Sequence, residues 1–281
     1  MLFIILFEST QGNIKDYNLG QYKMNEIQSA STYISNNSFQ EERKDLAAAF
    51  RWAERSNLHE AVANHFSLAV NPEGTEFLMN PNMWHFSRIK ASDLLLLDVN
   101  DKTVLTKDNP PDATAWGLHG AIHKLCPHAR CIMHVHSVYA TTLASLEDCI
   151  LPPINQVAAM FFGRQVIDKN YGGLAFEDEG TRCANLLSNS KKHTFIMGNH
   201  GVLIFGKNVA ETFNRLYYFE RAAQTYINAL QTGKKISILN DIIAEKTAEE
   251  LDNEEHPNPA GTAFLREIKS ILDQESSDYA D

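Results

Sequence analysis

The chain has 281 residues, 44% of them hydrophobic and 21% charged, with a formal net charge of -10. That is the composition of a soluble globular protein with a sizeable core, not of a disordered chain. The acidic balance and lack of a basic cluster exclude a phosphate-backbone binder, whose affinity comes from Lys and Arg, and no stretch reaches transmembrane length.

In chain order, the apolar start MLFIILFEST has no positive region before it and no small-residue cleavage site after it. It reads as a tail or an upstream start, with Met24 an alternative initiator. Residues 1–37 are irregular and polar. SFQE at 38–41 has the capping-box pattern, Ser38 as cap and Glu41 reaching back, and a helix is expected to follow to about Asn57. HFSLAV (65–70) and EFLM (76–79) flank NPEG as a hairpin. ASDLLLLDV predicts a buried strand at 94–99. After NPPD at 109–112 comes the helical stretch ATAWGLHGAIHKL, with Trp116, Ile122 and Leu125 among its apolar positions. RCIMHVH reads as a strand. Ser137 then caps the helix SVYATTLASL.

LPPINQ is a turn into VAAMFFG, YGG at 171–173 a loop, and EDEGTRCANLL a helix. HTFIM and GVLIF are short strands on either side of GNHG. From Lys207 to Gly233 the apolar positions Val209, Phe213, Leu216, Ala223, Ile227 and Leu230 recur at helical spacing. Beyond 236 the chain is acidic and helical, interrupted by DNEEHPNPAG. Helices alternating with strands predict one α/β domain over 38–235, with 236–281 a C-terminal extension. Cys126, Cys131, Cys149 and Cys183 form no CxxC pair and are expected as reduced core thiols, which suits a cytoplasmic protein.

The chemistry sits in CIMHVHS (131–137) and GNHG (198–201). Strand residues two apart share a face, so His134 and His136 would project together. His200, between glycines at a turn, can approach another strand's end. Three imidazoles leave metal positions open for water or substrate, as catalytic sites do. An HxH in a strand is also compatible with simple core packing. His119 and His123 share a helix face and have the spacing of a zinc-protease HExxH helix, but Gly120 stands where its Glu base is needed. That excludes the protease reading.

The stretches NHFSL (64–68), ASDLLLLD (91–98), TAWGLHGAIHKLCPHA (114–129), IMHVHSVYATTLA (132–144), LPPINQVAAMFFGRQV (151–166) and MGNHGVLIFGKNVAETFNRLYYFERAAQ (197–224) together resemble the class II aldolase/adducin family. The resemblance covers about residues 40–235. It implies a three-layer α/β/α fold with a mostly antiparallel central sheet, and a homotetramer with active sites between subunits. It also implies a zinc held by three histidines, mapping onto His134, His136 and His200, with Mn²⁺ and Fe²⁺ as alternative ions.

The departures point away from sugar-phosphate aldolases. Their Ser-Ser-Glu segment reads Ala113-Thr114-Ala115-Trp116 here, so the acid/base is missing at Ala115. Their phosphate-binding Gly-Asn loop reads Asn64-His65, and their later Thr/Ser-Gly loop reads Asn80-Pro81-Asn82-Met83. The pattern is similar to the adducin-like branch, which holds metal-dependent decarboxylases, iron oxygenases and adducin heads. The reading is a metal-dependent carbon–carbon lyase, a decarboxylase or retro-aldol enzyme, acting on a small oxyacid or carbonyl compound. The ion would act as Lewis acid. His65 would bind a substrate carboxylate or protonate the carbanion. Tyr171 would supply a proton from a neighbouring subunit, and Asn64 and Gln156 would line the pocket. The alternatives are a non-heme iron oxygenase and a non-enzymatic adducin-like interaction module.

Overall fold

The computed structural model describes residues 38–170, 177–252 and 259–281, so the tail at 1–37 and the YGG loop lie outside the described residues. Helix α1 (Gln40–Arg55) leads into strands β1 (His65–Ala69), β2 (Glu76–Met79) and β3 (Leu95–Asp98). Then come α2 (Ala113–Leu125), β4 (Cys131–Val135), α3 (Val138–Ala144), α4 (Gln156–Ala159) and β5 (Gln165–Asp168). The chain continues through α5 (Glu177–Leu186), β6 (Thr194–Met197), β7 (Gly201–Gly206), α6 (Val209–Gln231), α7 (Asp241–Leu251) and α8 (Ala260–Gln274).

The seven strands form one sheet in the order β3-β2-β1-β4-β7-β6-β5. Every neighbouring pair is antiparallel except β5 and β6, which run parallel. The sheet is therefore mixed, with antiparallel pairing dominant. Strand β5, from GRQVID, was not among the predicted elements. Its four residues are mostly half-buried and show no period-2 alternation, so pattern alone could not reveal it.

Alternation across the pleat builds the three layers. Cys131, Met133 and Val135 of β4 join Val202 and Ile204 of β7 in a core shared with α1, α3, α6 and α8. Ile132 of β4 and Leu203 and Phe205 of β7 face the opposite way, against Leu118 and Ile122 of α2 and Cys183 and Ala184 of α5. His134 is thus on the α2 side of the sheet. In the first core, Phe50 stacks on Phe66 at 4.7 Å, and Phe86 meets the two edge-on at 4.6 and 5.0 Å. Leu265, Ile268 and Leu272 of α8 are buried in this same core. All four cysteines are buried and unpaired. Among the described residues no helix is long and apolar enough to cross a membrane.

Several local expectations are corrected. Ser38 does not cap α1; Phe39 takes the N-cap position at φ 64 without a side-chain bond. The Ser38 carbonyl instead accepts from Arg43 Nε at 2.9 Å. The expected buried strand at 94–99 is the half-buried edge strand β3, with only Leu97 fully inside. Leu125 and Leu230 fit the helical period but lie in last turns that run past the core, and are 47% and 41% exposed. The NPEG hairpin forms as predicted, with Asn71 Oδ1 accepting from the Thr75 and Glu76 amides at 2.9 and 3.1 Å. Gly74 there has φ +67, and a Cβ on it would lie 2.1 Å from the His123 carbonyl oxygen.

Candidate metal centre

The antiparallel register sets His134 opposite Leu203 and Val135 opposite Val202, so the end of β4 lies beside the start of β7. The GNHG turn between β6 and β7 places Asn199 at φ 57, and the His200 amide donates to the Met197 carbonyl at 3.0 Å. Gly201 is needed there, because a Cβ would lie 2.6 Å from the Val135 oxygen and 2.8 Å from His136 Cδ2. The result brings His200, in the turn before β7, onto His134 and His136 at the end of β4, which lie 66 and 64 residues earlier in the chain. His134 Nε2 is 2.8 Å from His136 Nε2 and 3.1 Å from His200 Nε2, and the last two are 2.9 Å apart.

The outer nitrogens decide what this cluster can hold. His134 Nδ1 donates to the Val202 carbonyl at 3.1 Å, and His136 Nδ1 donates to Glu60 Oε2 at 2.7 Å. A carbonyl or carboxylate oxygen can only accept, so both Nδ1 atoms carry the proton and, in the neutral rings, both Nε2 atoms present bare lone pairs. Burial, reinforced by the rings of His65, His136 and His200, keeps His134 neutral far below the usual histidine range. Burial and the His136 ring pull His200 down to about 4. Two lone pairs facing each other at 2.8 Å repel unless a cation lies between them, so the donor set fits a divalent ion. A tetrahedral zinc with Zn–N of about 2.0–2.1 Å sets its ligand nitrogens about 3.3 Å apart, a few tenths of an ångström wider than here.

The supporting shell was only partly anticipated. Glu60 was missed; no motif marks it, and it reaches His136 across 76 residues. Asn64 is buried, and its Oδ1 accepts from the Glu60 amide at 2.6 Å, which ties down the loop carrying that carboxylate. Asn64 Nδ2 is a buried donor with no partner. Ser137 does not cap α3 with its own side chain. Its hydroxyl donates to Glu220 Oε2 at 2.7 Å, and Glu220 accepts the Tyr139 and Ala140 amides, each at 2.9 Å. A buried carboxylate from α6 thus caps the helix that follows HVHS, where the helix dipole favours an anion.

His65 pairs in register with His134, and its ring stacks on the His134 ring with centroids 4.8 Å apart. It lies outside the three-nitrogen cluster. His119 and His123 do not form a second metal site; both bond to the Ser67 hydroxyl, at 2.6 and 2.8 Å. Ala115 is buried in the first turn of α2. The nearby carboxylate is Asp112, the N-cap of α2, whose Oδ1 accepts from the Thr114 and Ala115 amides at 2.9 Å each. Gln156 is exposed in the first turn of α4, a helix that packs on α6 and α7. Tyr171 lies outside the described residues.

Comparison with known proteins places this geometry. Residues 44–227 match the family model described as Class II Aldolase and Adducin N-terminal domain. A Pseudomonas aeruginosa protein provisionally assigned to aldolase class 2 is 26% identical over 195 residues, covering 69% of this chain and 73% of that one. Adducin-related protein 1 of Caenorhabditis elegans is 28% identical over 247 residues, 85% of this chain but only 32% of the longer protein. The crystal structure of an aldolase II superfamily protein from Pseudomonas syringae superposes with a TM-score of 0.75 at 26% identity, covering 86% of this chain and 96% of that one.

Proposed function

The chain belongs to the class II aldolase and adducin N-terminal domain family, and from that premise we propose that it is a metal-dependent carbon–carbon lyase acting on a small oxyacid or carbonyl compound. One observation carries the reading. Two histidine Nε2 atoms, bare in the neutral rings, converge with that of a third, His200, at 2.8–3.1 Å, which is an arrangement that a divalent cation stabilises. His134, His136 and His200 would hold the ion, with zinc the first choice. When bound, such an ion supplies a Lewis acid that polarises a carbonyl and stabilises negative charge on its oxygen. Glu60 fixes the His136 ring and, in the neutral imidazole, holds the proton on Nδ1 so that Nε2 faces the cluster. His65, whose ring stacks on His134, would be the side chain that meets the substrate. Ala115 offers no carboxylate, so acid/base work of the sugar-phosphate aldolase type has no base at that position. The family's other members include adducin-related proteins, whose names imply no chemistry. The intact three-histidine cluster supports the enzymatic reading over an interaction module.

Elemental analysis of the purified protein, with His136→Ala as control, tests this. About one zinc or manganese per chain, lost in the variant, together with carbon–carbon cleavage in a screen of hydroxy- and keto-acids, would support it. Iron lost in the same way, with substrate-dependent oxygen uptake, would move the reading to an oxygenase. No metal in either protein would overturn it in favour of an interaction module.

A further inference from the structure

A chain of buried hydrogen bonds starts at His65 and runs into the interface of β1 with α2. His65 Nδ1 is 2.8 Å from His119 Nε2, and His119 Nδ1 is 2.6 Å from Ser67 Oγ. Ser67 Oγ is 2.8 Å from His123 Nε2, and His123 Nδ1 is 2.8 Å from the Ala129 carbonyl oxygen. Ser67 and His119 have no exposed surface and His123 has 2%. Burial this deep disfavours the charged form of His119 and His123.

With neutral rings the far end of the chain fixes every proton. The Ala129 carbonyl can only accept, so His123 carries its proton on Nδ1 and offers a bare Nε2. Ser67 has one hydroxyl proton, and it must go to that Nε2. The Ser67 oxygen then accepts from His119 Nδ1–H, which leaves His119 Nε2 bare. His65 must donate to it from Nδ1, so His65 Nε2, on the other side of the ring, carries a lone pair. The reverse order would set His123 Nδ1 and the Ala129 oxygen as two acceptors 2.8 Å apart in a dry interior. Leaving buried acceptors unpaired disfavours that order by about tenfold or more. Because the chain ends on a carbonyl that cannot take a proton, it is a lock and not a conduit.

We propose that Ser67, His119 and His123 are positioning residues that hold His65 in its Nδ1–H tautomer, making His65 an obligate hydrogen-bond acceptor beside the histidine cluster. A neutral acceptor takes a hydrogen bond from a hydroxyl or from water and repels a carboxylate. The ligand at this position, which is a substrate only if the lyase reading above holds, therefore presents a hydroxyl to His65 and any carboxylate elsewhere. This reverses the sequence expectation that His65 would bind a carboxylate or donate a proton.

The test is the tautomer itself, read by long-range ¹H–¹⁵N correlation spectra of the full chain labelled at histidine, with and without added zinc. The His65 signals are assigned by their loss in His65→Gln. The expected result is one His65 species, protonated at Nδ1 and bare at Nε2, in wild type. In Ser67→Ala it should become a mixture of tautomers with zinc content unchanged; His119→Leu serves as the second break if that variant does not fold. An Nε2–H or doubly protonated His65 in wild type would overturn the proposal, as would a single unchanged tautomer once the chain is broken. Nδ1–H His65 in a protein that binds no metal would sink the lyase reading and leave the lock standing. Nε2–H His65 in a zinc-loaded protein would do the opposite.

Discussion

Glu60→Gln should weaken zinc binding without unfolding the chain. Glu60 Oε2 accepts from His136 Nδ1 at 2.7 Å, and the amide variant keeps an oxygen there while removing the charge. Carboxylates that orient metal-binding histidines are typically worth about 10- to 100-fold in affinity. The Glu60 side chain is 62% exposed, so solvent screens its charge and places the effect near the low end. The expected loss is about tenfold, or about 1.4 kcal/mol. Glu60→Ala should lose more, because His136 Nδ1–H then has no acceptor and the ring can change tautomer. Folding stability of the metal-free protein should move by less than about 0.5 kcal/mol, as for other exposed positions. The assay is competition against a chromophoric zinc chelator, with urea unfolding of each metal-free protein as control. Equal zinc affinity in wild type and Glu60→Gln, alongside a His136→Ala protein that has lost its site, would refute the reasoning that Glu60 acts on the ion through His136.

Phe66→Ala should cost about 3–5 kcal/mol in urea unfolding, because Phe66 is fully buried between Phe50 and Phe86; a loss below 1 kcal/mol would contradict that packing. Gly74→Ala should destabilise by more than its left-handed φ alone implies, since the new Cβ would collide with the His123 backbone; a thermal midpoint equal to wild type would contradict that contact. Acid should loosen the C-terminal residues first. Hydrogen bonding to Lys90 lowers Asp278, and hydrogen bonding to Arg55 lowers Glu275. A carboxylate with a depressed folded pKa adds stability above its ordinary value, and that stability is lost as pH falls through the folded value. Hydrogen exchange in α8 and the residues after it should therefore be unchanged from pH 7 to 5 and rise relative to the sheet below about pH 4.5, the ordinary value for Glu275. A uniform response across the fold would rule this out. Zinc should raise the melting temperature of wild type and leave that of His136→Ala unmoved, because an ion that binds only the folded chain stabilises it by mass action; an equal shift in both would point to nonspecific binding.

What the sequence determined is what neighbours in the chain determine. Period-3.6 patterning marks α2 and α6, the hairpin flanking NPEG marks β1 and β2, and period-2 geometry alone puts His134 and His136 on one side of β4. His200 was a candidate from its place between the glycines of GNHG, and the family resemblance made it the third histidine of the set. The tertiary structure decided everything that needs a partner distant in sequence. Glu60 reaches His136 across 76 residues, His65 reaches His119 across 54, and Glu220 accepts from the Ser137 hydroxyl across 83. None of these carries a local signature, because a carboxylate on a loop and a serine in a strand are ordinary surface and packing residues until the sheet register brings them together. The same holds for Ser137, whose hydroxyl turns to Glu220 instead of capping its own helix. The proton positions show the division most plainly. The sequence supplies the histidines, but which nitrogen of His65 bears the proton is settled by the Ala129 carbonyl at the far end of a chain of contacts that exists only in the folded protein.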